Sequence, residues 1–482
     1  MALTLEGTYT TARILVDDET LVEENCLDQI RELINHPAFT EPVRVMPDAH
    51  WGAGAPVGFT MTLPDKIVPN IVGVDVGCGM SATNLGATLP LDGSERERRI
   101  RDAVPMGREV HEYDDAPHLV DEFPFDRANE VFDRFSSAYE ERFDRPIDPL
   151  DFDFDGYDEH FFKALCQRVL ARQRQGIGHV IRSAGTLGGG NHFIEFSRAR
   201  ESGEYWLVIH SGSRYLGKSV AEYWQHRATQ YRHADAIRES IPDEHVEFLK
   251  FDPEAVSDYE LYEWVTGGKG ESHLRKERIR EAFEGSDIED IFDELSRPAE
   301  ATEDRNTDLD WLEGREAHGY YVDMLFAQQY ARWNRELMSE TICGILDIEP
   351  RDRIESIHNY IDFRDLTIRK GATPAREGQR LIIPFNMAEG SILARGKGNE
   401  EWNQTAPHGA GRAMGRRDAH EQLSVEAFEE AMTGIYSESI VSAVVDEAPM
   451  AYKPTEAIAA AIEPTAEIID WLDVVHNLKS TE

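Results

Sequence analysis

In Gly73-Val74-Asp75-Val76-Gly77-Cys78-Gly79 a carboxylate and a thiol stand three residues apart among glycines, whose bare backbone lets a ligand come close. The pair forms half of a metal site. Separated histidines in similar surroundings offer the other half: His192 in GTLGGGNHF, His210 in IHSGSR and His358 in SIHNY. Carboxylate, thiolate and imidazole together suit a first-row transition metal.

A further histidine, His408 in Pro407-His-Gly-Ala-Gly-Arg412, has small neighbours and an arginine four positions on. Its chemistry could be that of a ligand, a base or a nucleophile, and a turn histidine is the plain alternative. Nearby, IRKGA (368–372), IIPFNMAEGS (382–391) and RGKGN (395–399) are Gly and Lys/Arg loops of the kind that hold phosphates through amides and charge. A competing motif is Gly212-Ser-Arg-Tyr-Leu-Gly217-Lys218-Ser219. It fits G-x-x-x-x-G-K-[ST] between a predicted strand and a predicted helix, the setting of a nucleoside-triphosphatase phosphate loop. Against it, His210 ends the incoming strand, and the one plausible acidic partner, Asp75, lies far upstream beside Cys78.

The elements that must position these residues follow from patterning. Residues 1 to about 100 predict short strands and Gly/Pro turns, among them VRVMP and KIVPNIVGVD. Residues 101–162, acidic and rich in Phe and Pro, are expected to form a peripheral insertion. FKALCQRVLARQRQ predicts a helix, EYWLVIH a strand, and a helix follows the HSGSR turn. Residues 226–312 predict a second, mostly helical acidic insertion with one basic cluster, LRKERIR. Residues 320–346 carry apolar residues at helical spacing, the mark of a core helix. Strands and Gly-rich loops come next, and helical segments are expected at the end.

The chain has 482 residues, 41% of them hydrophobic, enough for a sizeable core in an enzyme-sized globular protein. It shows no apolar run of membrane-spanning length and no signal-peptide pattern at its start, so a cytoplasmic location without membrane attachment is expected. Four scattered cysteines make no disulfide framework, which leaves Cys78 a free thiol. The net charge of −41 would ordinarily argue against a polyanionic partner. The acidic excess is spread along the chain and Arg far outnumbers Lys, a pattern that suggests a halophile. Molar salt shortens the screening length to about 3 Å, so charge does not decide the partner.

The motifs resemble, in family order, those of the RNA-splicing ligase RtcB family. The blocks are MPDAHWGAGAPVGFT (46–60), IVGVDVGCGM (71–80), GTLGGGNHFIE (185–195), HSGSR (210–214), IHNY (357–360), RKGA (369–372), HGAGR (408–412) and DEAPMAYK (446–453). The resemblance runs nearly end to end outside the two acidic stretches and sets the phosphate-loop match aside. It implies a mixed α/β fold, a sheet core with peripheral helices in one catalytic domain, 1–482. It also implies a GTP- and Mn²⁺-dependent ligase joining RNA ends that carry a 2′,3′-cyclic phosphate or 3′-phosphate to 5′-hydroxyl ends, in tRNA splicing or RNA repair. An archease-type activator is a further implied partner.

By the same resemblance, Asp75, Cys78 and His192 hold one Mn²⁺, and Cys78, His210 and His358 the second. His408 is then the nucleophile that becomes a histidine–GMP phosphoramidate. The nucleotide pocket is implied to comprise Asn191, His192, Glu195, His358, Asn359, Pro384, Asn386, Met387, Ser391, His408, Gly409, Ala410, Gly411, Tyr452 and Lys479. Asp48, His50 and Arg412 are candidate supports, and for Asp48 and His50 a turn role is equally open. Where many members have Pro-Gly-Ser-Met-Gly, this chain has Pro384-Phe-Asn-Met-Ala388, so the nucleotide loop is expected to differ in shape. Pro407 and Gly415 stand where Ser is frequent, a pattern like a repair-type sub-branch. The alternative class is a metal-dependent phosphodiesterase, which needs the metals but not His408. No Lys-x-Asp-Gly motif of the lysine-nucleophile ligases is present.

Overall fold

Tyr205–Ser211 contains the unbroken apolar run WLVI because its sheet is covered on both faces. Leu207 and Ile209 pack with Met338 and Ile342 on one side, and Trp206 and Val208 with Met80 and Ile354 on the other. In the computed structural model, which describes residues 2–16, 22–148, 154–258, 260–261, 273–296 and 307–482, this strand belongs to a seven-stranded sheet. The order is Arg380–Asn386, Gly390–Gly396, Ala466–Leu478, Phe193–Ala199, Tyr205–Ser211, Gly79–Gly86 and Asp352–Ile357. Each neighbouring pair is antiparallel. A six-stranded sheet runs Leu3–Glu6, Thr11–Ile14, Val43–His50, Val57–Thr62, Thr367–Lys370 and Asn359–Asp362, with Thr11–Ile14 and Val43–His50 parallel. A short pair, Ala372–Pro374 with Thr405–Pro407, leads to His408. The fold is mixed α and β, as the resemblance implies. No helix of the described residues is long and apolar enough to cross a membrane.

The helix Gly314–Leu346 fulfils the core-helix expectation and is buried around most of its circumference, packed on Arg214–Ser240 and on Tyr205–Ser211. It also clamps the loops that carry the candidate ligands. Arg335, wholly buried, donates from Nη1 to the carbonyls of Gly77 and Ser211, both at 2.9 Å. Asn334 Nδ2 donates to the carbonyls of Thr186 and Gly212 and to Ser211 Oγ. Arg335→Met keeps the apolar stem but strands two buried acceptors, each worth roughly 1–3 kcal/mol. A loss of about 3 kcal/mol is expected, measured as a lowered urea midpoint; an unchanged midpoint would show that the clamp is dispensable.

Several local expectations are corrected. The first hundred residues also hold two helices, Glu24–Ile34 and Gly93–Ala103. The first buries Cys26, Leu27, Ile30, Leu33 and Ile34, a helical period hidden between polar residues. KIVPNIVGVD is no strand: Pro69 lacks the ladder donor and opens the tight turn Pro69–Ile71. Residues 101–162 are not peripheral. In helix Phe125–Phe143, Phe135 lies 4.3 Å from Phe363 and 5.6 Å from Tyr321 between ring centroids, inside the main core. Among the described residues of that segment the acidic side chains are exposed or partly exposed, whereas Phe123, Phe135, Phe161 and Phe162 are buried. The predicted helix after residue 162 is Glu159–Val169, capped by Asp158. Within 226–312 the described helices Lys276–Ala282 and Ser286–Ser296 share a separate small apolar cluster with Ile237 and Phe248. Residues 259, 262–272 and 297–306 of that stretch lie outside the described residues. The expected helical segments are present, Arg416–Gln422, Val425–Ala431 and Thr455–Ala461, but a thirteen-residue strand, Ala466–Leu478, follows them.

Candidate metal centre and its cavity

Four adjacent strands bring the candidate ligands to one end of the large sheet. The register pairs Phe193 with His210, His210 with Met80, and Gly79 with Ile357. His192 directly precedes its strand, Cys78 directly precedes the next but one, and His358 directly follows the last. Asp75 enters from the turn before Cys78, where the Cys78 amide donates to the Asp75 carbonyl.

The ligand atoms converge in two groups, Asp75–Cys78–His192 and Cys78–His210–His358, each with all its donor atoms within 4.8 Å of one another. Cys78 Sγ lies 3.5 Å from His192 Nε2 and 3.2 Å from His210 Nε2. His192 Nε2 is 2.9 Å from Asp75 Oδ2, and His210 Nε2 is 3.2 Å from His358 Nε2. His192 Nδ1 sits 2.9 Å from the Leu187 carbonyl and His210 Nδ1 3.1 Å from that of Asn191. A carbonyl can only accept, so both Nδ1 atoms carry the proton and both Nε2 atoms present lone pairs to the sulfur. Burial holds His210 and His358 neutral, with neighbouring histidines adding to the effect. Burial and the Asp75 carboxylate push the Cys78 thiol up, so a thiolate there calls for a cation. The donor set suits first-row transition metals, and each of the two groups could hold one ion.

The phosphate-loop motif has a different explanation. A Cβ on Gly212 would stand 2.0 Å from Asp75 Oδ1, so this glycine is what lets the carboxylate reach the cluster. Helix Arg214–Ser240 has already begun before Gly217-Lys218, and Lys218 is exposed and pairs with Glu222. No loop of amides remains there to cradle a phosphate.

His408 joins the same site from the end of the short strand pair. Its Nδ1 lies 2.8 Å from Oδ2 of the fully buried Asp48, and its ring centroid is 4.7 Å from that of His358. Donation from Nδ1–H to the carboxylate leaves Nε2 with its lone pair. Gly411, at φ +72°, lets the HGAG turn press on the Asp48 carbonyl, where a Cβ would come within 2.5 Å. His50, whose Nδ1 meets the same carbonyl at 2.9 Å, is pulled down by burial to about 4 and is neutral. His210, His358 and His408 all line one cavity of about 610 Å³. A model of the family described as tRNA-splicing ligase RtcB matches residues 29–263 and 286–480.

The chain belongs to the RtcB family. It is an enzyme, similar to "RNA-splicing ligase RtcB" of Escherichia coli (strain K12), 27% identical over 480 residues covering 95% of each chain. "tRNA-splicing ligase RtcB" of Nanoarchaeum equitans (strain Kin4-M) is 24% identical over 504 residues, covering 91% of this chain and 88% of its own. The RtcB match runs through 101–162, in keeping with the place of that segment in the core.

Around the cavity the structure gathers most of the residues singled out for a nucleotide. Asn191, Glu195, His358, Asn359, Pro384, Asn386, Met387, Gly409, Ala410, Gly411, Tyr452 and Lys479 line it, as do the supports His50 and Arg412. His192 stands behind the wall with the cluster. Ser391 does not line the cavity: it is fully buried opposite Pro384, its hydroxyl without a partner. Asn386 is less free than its sequence suggested, since its Oδ1 accepts from the amides of Ala388 and Glu389, closing its own hairpin turn.

Three residues went unassigned in the sequence. Glu447 accepts from Lys479 Nζ at 3.0 Å, Tyr452 OH at 2.7 Å and Arg416 Nη1 at 2.7 Å. Burial would raise its carboxyl, but Lys479 and Arg416 hold it at about 2. Arg416 lines the cavity with it. Lys370, pulled down by burial to about 7, also lines the cavity and donates to the Ala53 carbonyl. Glu447 and Lys370 lie inside the DEAPMAYK and RKGA blocks, which was the available signal. Glu195 is pushed up by burial to about 7 while its oxygens accept from Ser197 and Asn477.

Proposed function

We propose that this chain is a GTP- and Mn²⁺-dependent RNA ligase that joins 2′,3′-cyclic phosphate or 3′-phosphate ends to 5′-hydroxyl ends. The observation that carries it is His408, fixed by buried Asp48 and placed beside His358 of the ligand cluster in one cavity. His408 Nε2 attacks the α-phosphorus of GTP, an N–P bond forms, and pyrophosphate leaves. Water opens the cyclic phosphate to a 3′-phosphate, whose oxygen takes GMP from His408 and restores the imidazole. The 5′-hydroxyl then attacks the RNA phosphorus, and GMP departs. Asp75, Cys78 and His192 would hold one ion and Cys78, His210 and His358 the other, which supply charge neutralisation at the phosphates when bound.

Asp48 keeps the proton on Nδ1 and balances the positive charge that His408 acquires as its Nε2 bonds to phosphorus. Asp48→Asn keeps the shape but loses the charge. The rate of GMP transfer to the enzyme is expected to fall about a hundredfold or more, with GTP binding little changed. Rapid-quench measurement of labelled enzyme checks this, and an unaltered rate would remove Asp48 from the reaction.

Glu195, with Tyr452 and Lys479 at the same wall, offers a carboxylate to the edge of guanine, a contact that adenine would not reproduce. The direct test supplies RNA fragments bearing a cyclic phosphate and a 5′-hydroxyl, with GTP and Mn²⁺, in molar salt to suit the acidic surface. A joined product supports the reading. Opening of the cyclic phosphate without joining points to a phosphodiesterase.

A further inference from the structure

Trp51 is 55% exposed, and among the described residues no other aromatic ring or cation packs on it. It nevertheless lines the same cavity as His408. Leaving an indole in water forgoes the stabilisation that burying it would bring, and the loop that carries it is far from slack. Gln29 grips Gly52 twice, donating to its carbonyl at 2.6 Å and accepting from its amide at 3.3 Å. Lys370 donates to the Ala53 carbonyl, and Gly54, at φ +78°, lies so close to the Asn70 carbonyl that a Cβ would come within 2.5 Å. The fold thus holds the backbone beside a large flat ring in place at the edge of the cavity.

The charge distribution narrows what that ring can meet. With a net charge of −41, the chain has no overall positive charge to offer an RNA backbone. Even inside the cavity, Arg412, Arg416 and Lys479 spend much of their charge on Glu447. Contacts indifferent to charge supply a grip that does not depend on this balance, and base–aromatic stacking is such a contact. Trp51 follows Asp48 by three residues, just past the end of strand Val43–His50. The ring directly follows the strand that carries Asp48, and it lines the same cavity as the histidine that Asp48 holds. Resting on the ligase reading for its context, we infer that Trp51 is the stacking platform for an unpaired base of the RNA end presented to His408.

The test is equilibrium binding of a 3′-phosphorylated single-stranded oligoribonucleotide to the full chain, which needs no ligation. Trp51→Ala is expected to bind about tenfold more weakly or worse, and Trp51→Phe to recover most of the loss. An oligonucleotide with an abasic terminal residue is expected to lose as much on the unsubstituted chain and nothing further on Trp51→Ala, the signature of a direct pair. Equal binding by Trp51→Ala overturns the inference. So does additive loss with the abasic strand, loss of GMP attachment in Trp51→Ala, which would assign the ring to guanine, or a changed oligomeric state, which would assign it to a second copy. Failure of the ligase reading shows differently: no joining and no GMP adduct by the unsubstituted chain, with RNA binding still dependent on Trp51.

Discussion

His408→Ala is expected to take up no label from α-labelled GTP, whereas the unsubstituted chain yields an adduct that acid cleaves and alkali does not, the behaviour of a phosphoramidate. The expected fall in joining is roughly 10³-fold or more, because removing a covalent nucleophile removes the route and not merely a contact. The argument rests on geometry. The carboxylate that meets Nδ1 has no solvent around it, so the imidazole is held in one tautomer with Nε2 free. The ring stands in the cavity against His358, so a phosphate bonded to Nε2 would lie beside the ligand cluster. A metal-ligand role for His408 predicts another outcome, since His408→Ala would then lower bound metal. A variant with unchanged metal content and no adduct supports the nucleophile. Full activity of His408→Ala on a cyclic phosphate would support the phosphodiesterase.

Much of this site was legible because it is local. Asp75 and Cys78 sit in one turn, and each histidine is marked by glycines whose purpose the structure makes plain, as with Gly212 beneath Asp75. That His192, His210, Cys78 and His358 meet was not legible from spacing, since it depends on the order of four strands drawn from distant parts of the chain. The ordered motifs supplied that link through resemblance. What escaped notice was structure whose signal is diluted. The core phenylalanines of residues 101–162 are hidden among acidic neighbours, and strand Ala466–Leu478 alternates irregularly because two shifts of register interrupt it. Glu447 was missed because a buried carboxylate among three cations, Arg412, Arg416 and Lys479, is a tertiary fact, with each partner far away in sequence.

Cys78 carries the second large expectation, because it alone belongs to both ligand groups. Removing any of the histidines deprives one group of a ligand, whereas Cys78→Ala deprives both. After dialysis against micromolar Mn²⁺, bound metal is expected to fall partially in His192→Ala and His358→Ala and to near zero in Cys78→Ala, with affinity lowered about a hundredfold or more at each position. Cys78→Ser should resemble the alanine variant, since a serine hydroxyl would give up its proton to bound cations far less readily than a thiol would. A merely structural thiol predicts a different pattern. Cys78 is nearly fully buried, and a core cysteine behaves as a small hydrophobe, so alanine would then cost stability without touching metal content. Metal analysis beside a thermal melt in chelator separates the two. Equal metal content in Cys78→Ala and the unsubstituted chain would break the bridge between the two groups, and with it the reason for placing this sulfur at the point where four strands end.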